Sequence, residues 1–239
     1  MINNKNVTIH YIGHSSFIFE TNTGQRIIID PWLKDNPSTN ETVDSIGKID
    51  FVLITHGHFD HVGDSIEILK ANSSAKCIAN FEICNWLGTK DISNVSPMNH
   101  GGSQTFDNFS VSMVNAIHGS GISDSSQDNL VYGGLAAGLV LNFDNKYSIY
   151  HAGDTSIFGD MTFIRDIHHP DLTIIPIGDH FTMGVKEAAM ATNLLNSDSY
   201  IPMHYGTFPV LTGSPDEFKT LVESQSKSEV IIMKPGEKI

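Results

Sequence analysis

A chain of 239 residues, 40% apolar and 17% charged, is long enough to bury a core without disulfide staples and too apolar to be disordered. Its net charge of −13, from 14 Lys+Arg against 27 Asp+Glu, weighs against a nucleic-acid binder and against docking on an anionic membrane. Two cysteines, Cys77 and Cys84, are too few for a secreted disulfide framework and are expected as buried or half-buried free thiols.

Residues 1–7 carry neither a charged segment nor an apolar one, and no stretch approaches the ~18 apolar residues of a membrane span. A cytoplasmic protein without membrane insertion is expected. No linker rich in Pro, Gly or Ser divides the chain, so residues 1–239 read as one domain.

Runs at 7–12, 16–20 and 26–30 are β-branched or aromatic and read as strands, with turns at Gly13 and 21–24. Residues 51–55 form a continuous apolar run, the mark of a buried strand. Val62, Ile66 and Leu69 then recur at helical spacing over 62–71. Residues 109–118 read as a strand ending in histidine, and the polar, glycine-rich segment 119–134 as a loop. That loop is either a substrate-selecting lid or a surface insertion. Runs at 135–143 and 147–151 form a hairpin pair around Asp144 and Asn145, and 172–177 is another buried strand. The alanine-rich stretch 186–195 is a helix. Residues 200–204 are a short strand ending in histidine. A last helix covers 215–223, with Ser214 as cap and Pro215 at its first position. Strands and helices in both halves suggest two packed sheets with helices outside, an α/β architecture.

Between the strand 51–55 and the helix after it stand four metal-ligand side chains within six residues: His56, His58, Asp60 and His61. Each alone could be a loop residue or a helix cap. All four together, where a buried strand turns into a helix, point to metal. One ion could take His56 and His58 and a second Asp60 and His61. Zinc, manganese and iron all suit such imidazole and carboxylate donors.

The stretch from Thr55 to Asp64 resembles the H-x-H-x-D-H motif of the metallo-β-lactamase superfamily. That resemblance implies a four-layer αββα sandwich and three further ligands in the order histidine, aspartate, histidine. His118, Asp154 and His204 supply them. It further implies that His56, His58 and His118 hold one ion, that Asp60, His61 and His204 hold the other, and that Asp154 bridges the two. Histidine at position 58, where flavodiiron proteins carry glutamate, argues against oxygen chemistry. Aspartate at 154 rather than cysteine argues against a true β-lactamase of the main subclass. The segment between Asp154 and His204 is too short for the inserted domain of the nuclease branch.

Three stretches are similar to small bacterial metal-dependent hydrolases, the branch that also holds L-ascorbate-6-phosphate lactonase and N-acyl-phosphatidylethanolamine phospholipase D. They are Tyr11-Ile12-Gly13-His14-Ser15-Ser16-Phe17, Tyr150-His151-Ala152-Gly153-Asp154-Thr155 and Gly178-Asp179-His180-Phe181-Thr182-Met183-Gly184. Most of that branch has glycine where Asp179 stands.

The expected activity is hydrolysis of an ester, lactone or phosphodiester bond in a small molecule, with two divalent ions activating water. Asp60 could also orient the nucleophile or carry a proton. His180 either acts as acid or oxyanion donor and touches substrate, or only orients a ligand. His14 either lines the substrate pocket or satisfies a turn. Asp30, ending 26–30, is placed to hydrogen-bond a ligand histidine, and His151 to play a buried structural part. A lactonase or a phosphodiesterase is the narrower alternative, and a non-enzymatic metal or ligand sensor the alternative of another class. Homo-oligomerisation is left open.

Overall fold

The computed structural model describes residues 7–239, so the reading of residues 1–6 lies outside it. Up to residue 100 the elements are β1 (Thr8–Gly13), β2 (Ser16–Glu20), β3 (Arg26–Ile29), β4 (Phe51–Leu53), α1 (Phe59–Val62), α2 (Ser65–Ala71), β5 (Lys76–Asn80), α3 (Phe81–Gly88) and β6 (Val95–Met98). Next come β7 (Ser103–Thr105), β8 (Phe109–Asn115), β9 (Gly121–Ile122) and β10 (Val131–Tyr132). The rest are β11 (Ala137–Phe143), β12 (Ser148–His151), α4 (Met161–His168), β13 (Leu172–Pro176), α5 (Val185–Leu195), β14 (Ser199–Met203), α6 (Pro215–Gln225) and β15 (Glu229–Val230). These elements form two compact units. The first holds residues 7–100, Gly119–Ala136 and Lys234–Ile239, and the second holds Gly101–His118 and Ala137–Met233.

The first unit is built on a six-stranded sheet in the order β1-β2-β3-β4-β5-β6. Strands β1 to β3 form an antiparallel meander, and β3 to β6 run parallel. Alternation along the strands sends Ile18, Ile28, Val52 and Cys77 to a core shared with Ile68 and Leu69 of α2 and Ile83 and Leu87 of α3. Their neighbours Phe17, Phe19, Ile27, Ile29, Leu53 and Ile78 face the other way and are also fully buried. This is why the strands read as apolar runs rather than as alternating ones. The outer edge of β1 is paired by the chain end, Ile9 and Ile239 exchanging backbone hydrogen bonds of 2.9 and 3.0 Å.

The second unit is built on a seven-stranded sheet in the order β15-β14-β13-β12-β11-β8-β7. Strands β12 to β15 are parallel, and β11 lies antiparallel between β12 and β8. Tyr150, Ile175 and Tyr200 pack with Met161 of α4, Ala188 and Leu195 of α5, and Phe218 and Val222 of α6. Ser214 caps α6, its Oγ accepting from Glu217 N at 3.2 Å, with Pro215 in the first turn.

The structure redraws several expected elements. The helix expected over 62–71 is two pieces, because the Asp64 carboxylate turns away to accept from Leu33 N and Lys34 N at 2.6 and 2.9 Å. Gly63 sits so close beneath residues 31–32 that a Cβ there would lie 2.8 Å from Trp32 Cα. Strand 109–118 ends at Asn115, so His118 stands in the loop beyond it. The segment 119–134 is not featureless: β9 and β10 pair within it as a short antiparallel ribbon. Strand β5 and helix α3, capped by Asn80 accepting from Ile83 N at 2.8 Å, were not anticipated. Both cysteines are buried free thiols, and burial pushes Cys84 up to about 11. Among the described residues no helix is long and apolar enough to cross a membrane.

Candidate metal centre

Topology brings the candidate ligands of each unit to one sheet edge. In the first unit β1, β3 and β4 share a direction, so the residues following Gly13, Ile29 and Leu53 emerge together. These are His14, Asp30 and the run from Ile54 to His61. In the second unit β8, β12, β13 and β14 share a direction, which places His118, Asp154, Gly178 and His204 beyond the carboxyl ends of neighbouring strands. Ligand sites of α/β sheets lie at this edge.

Within the first unit Asp30 organises the histidines. Its carboxylate accepts from Thr55 N at 2.8 Å, from Thr55 Oγ1 at 2.7 Å and from His61 Nδ1 at 2.8 Å. Since the Thr55 hydroxyl donates to Asp30, its oxygen accepts from His56 Nδ1, 3.0 Å away. Both His56 and His61 therefore carry their proton on Nδ1 and present the lone pair of Nε2. His56 Nε2 lies 3.0 Å from His58 Nδ1, and His61 Nε2 lies 3.9 Å from Asp60 Oδ2. His14 Nε2 stands 3.0 Å from that same Asp60 oxygen, and His14, Asp60 and His61 all offer donor atoms within 4.8 Å of one another. Asp60 and His61 lie on the single turn α1, whereas His56 and His58 belong to the extended segment before it.

Within the second unit Asp154 is the hub. Its Oδ2 lies 3.0 Å from His204 Nε2 and 3.5 Å from His118 Nε2. Two hydrogen bonds hold the His118 loop against it: Ile117 N donates to Thr155 Oγ1 at 3.0 Å, and Ser156 N to Ile117 O at 3.2 Å. His151 has the buried structural part expected of it, its Nδ1 accepting from Gly153 N at 3.2 Å in the turn before Asp154.

These spacings fit a metal. Two donors bound at about 2.0–2.1 Å to one tetrahedral ion stand roughly 3.3 Å apart. The pairs His56–His58, His204–Asp154 and His118–Asp154, at 3.0, 3.0 and 3.5 Å, bracket that value. The Nδ1 hydrogen bonds of His56 and His61 complete the pattern of imidazole ligands, whose second nitrogen is held by a carboxylate or hydroxyl.

Left-handed backbone occurs at the same edges, as it also does at Asp35, Asp91, Lys146, His169 and Asn196. His14, Asp30 and His204 adopt φ of 58°, 49° and 57°, in the left-handed region that non-glycine residues seldom enter. Asp179 and His180 are a consecutive pair of this kind, at 64° and 58°. His180 is exposed, its ring edge-on to Phe181 at 4.4 Å, on a turn fastened by Asp179 N to Met183 O (3.0 Å) and Met183 N to Thr155 O (3.3 Å). His14 is fully buried, with its ring against Trp32 and its Nε2 at Asp60. His10 and His100 have partners that their sequence surroundings do not show, Glu41 at 2.7 Å and Ala136 O at 2.9 Å.

Comparison with known proteins agrees with this chemistry. Residues 8–204 match the model of the beta-lactamase superfamily domain. The chain is 48% identical over 229 residues to a UPF0173 metal-dependent hydrolase of Koribacter versatilis, covering 96% of each chain. It is 42% identical over 232 residues to one of Rubrobacter xylanophilus, covering 97% of this chain and 95% of that one. Among solved structures, a metallo hydrolase from the hyperthermophilic archaeon Ignicoccus hospitalis superposes with a TM-score of 0.86 at 36% identity, over 98% of this chain and 97% of the other.

Proposed function

Because this chain belongs to the beta-lactamase superfamily and is a metal-dependent hydrolase, we propose that it works with two divalent ions on an ester, lactone or phosphodiester bond of a small molecule. The observation that carries the reading is the donor spacing of 3.0–3.9 Å in both units, with the imidazoles of His56 and His61 hydrogen-bonded through Nδ1. In this reading His56, His58 and His118 take one ion, Asp60, His61 and His204 the other, and Asp154 is shared, the division that the motif resemblance implies. Zinc or manganese suits the donors best, and iron also fits. Such a pair supplies a water of lowered pKa and Lewis acidity toward a carbonyl or phosphoryl oxygen.

The protein's own contribution is orientation and proton handling. Asp30 and Thr55 take the Nδ1–H of His61 and His56, which orients both rings and leaves Nε2 of the neutral imidazole as the ligating atom. Asp60 presents a carboxylate that can orient the attacking water. His180, held out by its strained turn, can give a proton from a ring nitrogen to the leaving group. The net charge of −13 favours a small substrate over nucleic acid, and a cytoplasmic setting suits the two reduced thiols.

The test is elemental analysis of the purified protein together with a panel of lactones and bis-p-nitrophenyl phosphate, with Zn²⁺ or Mn²⁺ added. Two equivalents of metal and turnover restored by metal after chelation are expected. His58→Ala and Asp154→Ala should lose metal and activity together. Full turnover by metal-free protein overturns the reading.

A further inference from the structure

We propose that His14 is a positioning residue for Asp60: its Nε2–H donates to Asp60 Oδ2 and sets the direction in which that carboxylate meets a metal ion. The inference rests on Asp60 being a metal ligand.

Four observations carry it. The His14 imidazole is fully buried, with its ring against Trp32. Its Nε2 lies 3.0 Å from Asp60 Oδ2, and an ionised carboxylate can only accept, so the nitrogen donates. The ring is fixed from outside the contact: Trp32 stands edge-on to it with centroids 5.1 Å apart, and Trp32 also packs edge-on against Phe59, the residue before Asp60, at 5.7 Å. The backbone is fixed as well, because His14 holds a φ of 58° directly after the β1 bulge, with Tyr11 Oη donating to its carbonyl at 3.2 Å. A left-handed histidine costs free energy, and here Tyr11, Trp32 and Asp60 together hold it in place.

The arrangement parallels the one around Asp30. There a carboxylate orients a ligand histidine through Nδ1. Here a histidine orients a ligand carboxylate through Nε2. Asp60 and His61 sit on a single helical turn whose preceding residue, His58, makes no side-chain cap. His14, 46 residues earlier, reaches Asp60 from outside that turn and adds a restraint to it.

The experiment compares His14→Ala, His14→Gln and Asp60→Ala by Zn²⁺ affinity, using a competing chromophoric chelator, and by the visible absorption of the Co²⁺-substituted protein. Thermal melts serve as the control for folding. His14→Ala should weaken one of the two Zn²⁺ equivalents by about 10–100-fold, the usual effect of removing such a partner. His14→Gln keeps an N–H donor and should recover most of that affinity, with the Co²⁺ spectrum unshifted. In the Asp60→Ala background His14→Ala should have no further effect. A Co²⁺ spectrum changed in band position and intensity by His14→Gln would instead make His14 a ligand and overturn the positioning role. Wild-type Zn²⁺ affinity in a folded His14→Ala protein also overturns it. If Asp60→Ala itself binds two Zn²⁺ with wild-type affinity, the failure lies with the ligand assignment beneath the proposal.

Discussion

Asp30 and His61 are joined by a 2.8 Å hydrogen bond from Nδ1 to Oδ2, both side chains fully buried, and the same carboxylate takes two more donors from Thr55. Asparagine offers one acceptor oxygen and turns an amide N–H₂ toward a donor. Asp30→Asn should therefore lower Zn²⁺ affinity by about 10–100-fold. It should also lower unfolding stability by about 1–3 kcal/mol, since a buried donor is left without its acceptor. Chelator competition and urea titration read the two effects separately. Unchanged Zn²⁺ affinity would show that the tautomers of His56 and His61 need no carboxylate.

His180 tests the division between holding metal and turning over substrate. It is exposed and rests on Phe181. His180→Ala should keep both metal equivalents and lose about 10²–10⁴ in kcat, the range for a general acid. Unchanged kcat removes it from the chemistry. An unchanged kcat with raised KM leaves it a substrate contact.

Asp124 anchors the segment 119–134. Its carboxylate accepts from Lys90 Nζ at 2.7 Å, Trp86 Nε1 at 2.8 Å, and Ser126 Oγ and N at 2.7 and 3.0 Å. The Lys90 contact, followed by those from Ser126 and Trp86, holds the carboxyl well below the usual range. A group depressed in this way stabilises the fold above its unfolded pKa, about 3.9, and the contribution is lost as pH falls through the lower folded value. The Trp86 indole N–H resonance should thus hold its position through pH 4 and move only in stronger acid. Asp124→Asn should shift it at neutral pH and raise amide exchange across residues 119–134. A wild-type titration midpoint near pH 4 would remove the clasp.

The parts of the site that follow from neighbouring residues were legible before the fold was known. His56, His58, Asp60 and His61 stand within six residues, and Asp30 ends an apolar run, so period and residue type suffice. The capping of α6 by Ser214 is local in the same way. What was not legible depends on pairings distant in sequence. The break between α1 and α2 follows from Asp64 bonding to Leu33 and Lys34, some 30 residues earlier, against the helical spacing of Val62, Ile66 and Leu69. Burial pushes the Asp64 carboxyl up by more than those two donors pull it down. The contact of His14 with Asp60 spans 46 residues. Helix α3 had a local signal in Asn80 before an apolar run, which the sequence reading did not use. The ribbon of β9 and β10 has only two residues in each strand, too few for alternation to show.

Gly57 is where that ribbon meets the metal motif. Its N–H donates to Ser120 Oγ at 3.0 Å, and Ser120 Oγ donates onward to Gly133 O at 2.8 Å, so both ends of the segment 120–133 are fastened to the turn between His56 and His58. A Cβ on Gly57 would lie 2.6 Å from Ile122 Cγ1 and 2.7 Å from the Ser120 carbonyl oxygen. The first obstacle is a side chain that can yield, but the second is backbone. Gly57→Ala must therefore displace either the ribbon or the turn. A cost of about 1–3 kcal/mol is expected, the usual range for overpacking. If the turn moves, the 3.0 Å spacing of His56 and His58 goes with it and Zn²⁺ affinity falls. If the ribbon moves, affinity stays and amide exchange at 120–133 rises. Ser120→Ala removes only the hydrogen bonds and should cost about 1 kcal/mol with full metal content. A Gly57→Ala protein with wild-type stability, Zn²⁺ affinity and exchange would show that the close seating plays no part in holding the motif.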